Sequence, residues 1–164
     1  MAWLKAGAVG ALGSLIIFVA MVMGVQVTGF APFNLPPSAA FLEALGLNFG
    51  PLAPIAHFVY GIVWALILLA LFGDGVNVMK GLAVAGFQWL LLMVVYAPVI
   101  GWGFFGMGGP AHSLAANEPL FLGNPVEFIV LTLVLHAVYG ALNGWLIPRW
   151  VRRGGAPGAL HSAA

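Results

Sequence analysis

Four stretches of this chain, near Leu4–Val25, Pro54–Phe72, Val78–Val99 and Val126–Ile147, are apolar throughout and carry a charge only in their first turns, if at all. Each is close to the roughly 20 residues that an α-helix needs to cross the hydrocarbon core of a bilayer. Backbone polar groups cannot be left unpaired in lipid, so stretches of this length and composition restrict the chain to helices. The sequence therefore predicts a four-span integral membrane protein.

Composition agrees. Hydrophobic residues make up 63% of the chain and charged residues 5%, against about a quarter charged in an ordinary soluble domain. With no cysteine, disulfide exchange, thiolate catalysis and cysteine-ligated metals are excluded. The net charge of +1, without a basic stripe interleaved with aromatics, argues against nucleic acid as a partner. The lipid bilayer is the first partner. The opening segment "MAWLKAGAVGALGSLIIFVAMVMGV" has the Lys5-then-apolar pattern of a signal peptide. Its apolar run is longer than the 7–15 residues of an h-region and no clear cleavage site follows, so it reads as a retained span.

Lys5, Lys80, Arg149, Arg152 and Arg153 all fall at one set of helix ends, and Glu43, Glu118 and Glu127 at the other. The positive-inside rule then places both termini in the cytoplasm, in a membrane of prokaryotic inner-membrane type, with the two longer loops outside. Trp3 and Trp150 are expected as anchors at the inner boundary and Trp102 at the outer. The turn "GDGVN" offers Gly73 as a helix stop and Asn77 as an N-cap, which predicts an antiparallel hairpin of spans two and three. A short surface helix is expected with Ser38 as N-cap, Phe41, Leu42 and Leu45 on one face and Gly46 as stop. Asn124, Pro125 and Glu127 read as a capping box for span four. A kink is expected at Pro98, and His161 falls in a C-terminal tail expected to be disordered.

"HFVYG" at 57–61 returns as "HAVYG" at 136–140. The lysines that open spans one and three, the "AV" that follows each, and the exits "GFAPF" and "GFFGM" recur at nearly the same separation. These matches predict an internal duplication, with repeat one at 1–75, repeat two at 76–150 and a short tail at 151–164. The fold class is then all-α, a polytopic membrane four-helix bundle of two parallel-related two-helix repeats. Its pseudo-two-fold axis runs along the membrane normal. At 1.5 Å per residue, His57 lies about 24 Å from Gly73 and His136 about 20 Å from Arg149, both in the outer half of the bilayer. His136, Tyr139, Gly140 and Asn143 share one helical face, as do His57, Tyr60, Gly61 and Trp64. Such stripes should face the protein interior, where Gln88 is a further polar candidate. Gly61 and Gly140 let another helix or a flat ligand approach.

The segments "FLEALGLNFGPLAPIAHFVYG", "YAPVIGWGFFGMG" and "LVLHAVYGALNGWL" resemble a family of uncharacterised four-helix membrane proteins of bacteria and haloarchaea. The likeness runs from about Ser38 to the end of span four. It is most specific at His57-Phe58, Pro98 to Phe105, and His136, Tyr139 and Gly140. That family has no established activity, so the resemblance implies the topology.

The residues leave several functions open. One is a non-enzymatic membrane subunit that packs through the Gly7, Gly10 and Gly13 ridge into a larger assembly, such as an electron-transfer complex. Another is a b-type haem carrier with His57 and His136 as axial ligands and Gly61 and Gly140 beside the porphyrin. A third is a small-solute or proton pathway through the bundle. A metal site is not expected, because His112 and Met107 add no recognised ligand spacing to the two histidines. Nor is an enzyme, since there is no Ser-His-Asp set, no paired core carboxylates and no phosphate-cradling loop.

Overall fold

A computed structural model describes residues 1–47 and 50–152; His161 lies outside them. The chain is mostly helical, and four helical segments are long and apolar enough to cross a membrane: Ala2–Val25, Leu52–Gly75, Val78–Ile100 and Pro125–Val151. Its elements are α1 (Ala2–Val22), a short α2 (Pro37–Ala44), α3 (Leu52–Phe72), α4 (Val78–Leu91), α5 (Ala97–Ile100), the two-residue strands β1 (Gly103–Phe104) and β2 (Met107–Gly108), and α6 (Pro125–Arg152).

The helix ends follow local chemistry. Asn77 caps α4 by accepting the Lys80 backbone N–H at 3.0 Å, and Gly73 ends α3 with φ at +50°. At the start of α6, Asn124 Oδ1 accepts from the backbone of Val126 at 2.9 Å and Glu127 at 3.4 Å, while its amide donates to Glu127 Oε1 at 3.0 Å. One expectation is corrected. α2 starts at Pro37 without a side-chain cap, leaving Ser38 inside the first turn, because the fixed φ of proline suits the first helical position. α4 passes into a π-helical turn at Leu92–Tyr96 just before Pro98, where the Ala97 N–H reaches back to the Leu92 carbonyl. α6 runs through Pro148, whose own φ fits a helix and which removes one hydrogen bond near the helix end.

Packing is decided by glycine. α1 lies along α3 and α4 along α6, α1 also crosses α6, and α3 meets α4 only sparsely despite the short turn between them. A Cβ on Gly10 would stand 2.6 Å from Ala65 Cβ and 2.8 Å from the Gly61 carbonyl oxygen. One on Gly140 would stand 2.5 Å from the Gly81 carbonyl oxygen and 2.6 Å from Ala85 Cβ. At these crossings the backbones themselves touch, which is how helices associate where lipid removes the hydrophobic drive. Between α3 and α4 stand large rings instead: Trp64 meets Phe87 edge-on at 5.9 Å and Tyr60 meets Tyr96 at 6.3 Å. The expected antiparallel hairpin of spans two and three is therefore only loosely packed. The glycine ridge of α1 is also spoken for, since Gly7 and Gly10 face α3 and Gly13 faces Tyr139 and Asn143 of α6.

The two ends of the molecule differ. Lys5, Lys80 and Arg149 lie at the end where α1 and α4 begin, with Lys5 Nζ donating to the Trp150 carbonyl at 2.9 Å. Toward that end, Val9, Leu68, Val76 and Ile147 belong to one buried apolar cluster. At the opposite end the loops interlock. Phe33 forms a β-bridge with Leu122, the Gly123 N–H donates to the Pro32 carbonyl at 2.8 Å, and Asn34 Nδ2 donates to the carbonyls of Ala116 and Glu118, each at 2.8 Å.

Trp102 is fully buried in this loop-end core, where its indole N–H donates to the Leu120 carbonyl at 2.9 Å. It is not an interfacial anchor, because Phe33 and Phe128 enclose it. β1 and β2 close a hairpin over Phe105 and Gly106, both at positive φ. His112 Nε2 donates to the Gly106 carbonyl at 2.7 Å, which gives that histidine a loop-bracing contact.

Candidate functional site

Because α3 and α4 stand apart, a cavity of about 320 Å³ remains between the four long helices, and α2 roofs it with Pro37, Ser38, Phe41 and Leu42. α2 is held there by packing on α3 and α5 and by the edge-on contact of Phe41 with Tyr96 at 5.1 Å. The two repeated stripes meet in this space. His57, Tyr60 and Gly61 line it from α3, and His136 and Tyr139 from α6. Gln88 lines it from α4.

Each histidine is oriented by a backbone carbonyl, but not by equivalent ones. His57 bonds across to α1, with Nε2 2.9 Å from the Ser14 carbonyl oxygen. His136 bonds within its own helix, with Nδ1 2.7 Å from the Thr132 carbonyl oxygen. A carbonyl only accepts, so these ring nitrogens donate, and an uncharged imidazole then carries its lone pair on the other nitrogen: Nδ1 of His57 and Nε2 of His136. Phe18 and Phe58 pack against the His57 ring at 5.7 and 5.8 Å.

The other polar groups are used unevenly. The Tyr139 hydroxyl donates to the Gly61 carbonyl, and Asn143 Nδ2 donates to the Tyr139 carbonyl at 2.9 Å. The Thr132 hydroxyl donates to the Phe128 carbonyl at 2.6 Å and accepts the Trp89 indole N–H at 3.2 Å. Gln88 is 2% exposed and its Oε1 has no hydrogen-bond partner; Asn143 Oδ1, outside the cavity lining, is likewise unpartnered. A buried polar atom left this way costs about 1–3 kcal/mol.

Gly61 and Gly140 are occupied by helix contact. Ser14 of α1 lies where a Gly61 Cβ would be, and Gly81 and Ala85 of α4 crowd Gly140. Sequence reasoning missed Ser14, Tyr96 and Thr132. Thr132 was within reach, four residues before His136 on the same face. Tyr96 carried a compositional signal, since the chain has three tyrosines and all of them line the cavity. Among the described residues no three histidines or carboxylates come together as a metal site. Compared with protein-family models, curated proteins and solved structures, the chain matches none.

Proposed function

We propose that this chain is a non-enzymatic membrane protein that binds a small, mostly apolar molecule in the cavity under α2. The observation that carries the reading is the cavity itself: apolar walls, a few convergent polar groups and a helical roof are the usual composition of a small-molecule site. The apolar cluster of Val9, Leu68, Val76 and Ile147 toward the basic end supports binding over conduction, because a solute or proton leaving the cavity in that direction passes Asn143 and then meets buried apolar side chains. Packing into a larger assembly loses its motive, since Gly10 and Gly13 are covered by α3 and α6 of the same chain.

A haem held by His57 and His136 does not fit these residues. His57 Nε2 is engaged by Ser14, and the two glycines that would have made room for a porphyrin are filled by neighbouring helices.

We further propose that the architecture is a bundle of two repeats. The α1–α3 and α4–α6 pairs support it, as do the left-handed Gly29 and Gly103, each followed by an exposed phenylalanine, Phe30 and Phe104. The cavity marks where the repeats depart from symmetry, since α1 crosses α6 closely while α3 and α4 stay apart.

Two experiments test these proposals. Protein taken from its native membrane into lipid nanodiscs should release a small molecule on denaturation, detected by mass spectrometry, and the cavity-filling Leu135→Trp protein should release several-fold less. Equal recovery from both proteins would refute the binding reading. For orientation, the basic end is proposed to face the cytoplasm. In this cysteine-free chain, Met79→Cys should be labelled by an impermeant maleimide only after cells are opened, and Ser113→Cys in intact cells. The reverse pattern would invert the topology.

A further inference from the structure

We infer that the groove beside Arg149, at the basic end of the molecule, holds the headgroup of an anionic phospholipid. This site is separate from the cavity under α2 and does not depend on it. It is built where the last turns of α6 pass the turn that joins α3 to α4. Gly144 brings the two backbones together: a Cβ there would stand 2.5 Å from the Asn77 carbonyl oxygen and 2.7 Å from Val78 Cα. Residues 75–78 form one wall of the groove, and Gly144, Trp145, Pro148 and Arg149 form the other.

Spacing on α6 fixes the cation. Residues four apart on a helix lie one above the other, so Arg149 falls over Trp145. Its guanidinium stands 4.4 Å from the indole centroid and donates to the Trp145 carbonyl at 2.8 Å. A guanidinium carries five N–H groups in a planar fork, and that bond uses one of them. The fork can meet two phosphate oxygens at once. A second cation is tied to the rim, since Lys80 Nζ donates at 2.8 Å to the carbonyl of Gly75 in the groove wall. Asp74, the carboxylate of the same turn, is not part of the lining.

The rest of the wall decides between a lipid and a free anion. Val76, Val78, Trp145 and Pro148 are apolar, and only Asn77 and Arg149 bring polar side chains to the groove. A small free anion gains nothing from that apolar surface. A phospholipid uses both parts, with its phosphate on Arg149 and its chains beside Val78 and Trp145. Trp145 is 47% exposed near the end of a membrane-length helix, where a tryptophan ring sits at the level of lipid headgroups. A basic pocket between spans at that depth suits an anionic headgroup.

The test places the full chain in nanodiscs of equal phosphatidylglycerol and phosphatidylcholine with identical acyl chains. Native mass spectrometry then counts the lipids that stay bound on release from the disc. The unmodified chain should retain phosphatidylglycerol about tenfold over phosphatidylcholine, the value of a hydrogen bond to a charged group. Arg149→Gln, at an exposed position, should bring that ratio toward unity. Val78→Trp should do the same without changing the charge, by filling the groove. Lys5→Gln removes a charge at the same end but outside the groove, and should leave most of the preference. No preference in the unmodified chain would overturn the inference. Equal losses in Arg149→Gln and Lys5→Gln, with Val78→Trp unaffected, would reduce the effect to general surface charge and overturn the groove as a site. Displacement of phosphatidylglycerol by millimolar inorganic phosphate would show that a free anion suffices and overturn the lipid assignment.

Discussion

Trp102→Ala should destabilise the protein by about 3–5 kcal/mol, the range for emptying a large aromatic site in a packed core. The indole stacks on Phe33 at 5.9 Å, takes the edge of Phe128 at 5.1 Å and donates to the Leu120 carbonyl, with no part of it exposed. Each contact lies on a different segment. Phe33 follows α1, Leu120 belongs to the loop before α6, and Phe128 lies in the first turns of α6. Removing the ring opens a void and also leaves the Leu120 carbonyl without its donor. Trp102→Phe keeps the stacking surface but not the N–H, so it should recover more than half of the loss. Denaturation in mixed micelles, followed by circular dichroism, reads both values. A Trp102→Ala cost below about 1 kcal/mol, the level of an ordinary exposed site, would remove the residue from the core of the loop end.

The same substitution should loosen the cavity roof. Ala40 of α2 belongs to the cluster that Trp102 fills. Small-molecule recovery from Trp102→Ala protein should therefore fall although the residue does not touch the cavity.

That coupling also explains what could be read from the sequence. Span positions were legible because the length of apolar runs is set by the bilayer and not by the partners of each helix. The caps at Asn77 and Asn124 were legible for a similar reason, being local contacts over three residues. The faces carrying His57 and His136 were legible from helical period alone, and the cavity does gather them.

Partner choice was not legible. Every span has small residues, and the glycines that touch a neighbouring backbone have the same letter as those that do not. Gly81 and Gly86 illustrate this, both in α4, one pressed against Gly140 and the other with nothing within 4 Å of its missing Cβ. The burial of Trp102 was hidden because interfacial position suits an anchor and a loop-end core equally. Pro98 was legible but the π-helical turn before it was not, because the sequence signals the proline and not how the backbone accommodates it.

Gly140→Ala should be among the most damaging single-methyl additions available to this chain, costing about 3 kcal/mol or preventing assembly of α4 on α6. The new Cβ would stand 2.5 Å from the Gly81 carbonyl oxygen and 2.9 Å from its carbon, and backbone cannot turn aside as a side chain can. Gly86→Ala provides the control in the same helix pair, since it meets nothing and gains up to about 1 kcal/mol of helix propensity. Gly61→Ala should fall between them. Its main obstacle is the Ser14 hydroxyl, which can rotate away, leaving the Ser14 Cβ at a tight 3.2 Å and the Gly10 carbonyl at 3.4 Å. The predicted order of stability is Gly86→Ala above unmodified, then Gly61→Ala, then Gly140→Ala, measured by resistance to unfolding in mixed micelles. If Gly140→Ala proved as benign as Gly86→Ala, the close crossing of α4 and α6 would be refuted. The packing that leaves α3 and α4 apart, and the cavity between them, would lose its cause as well.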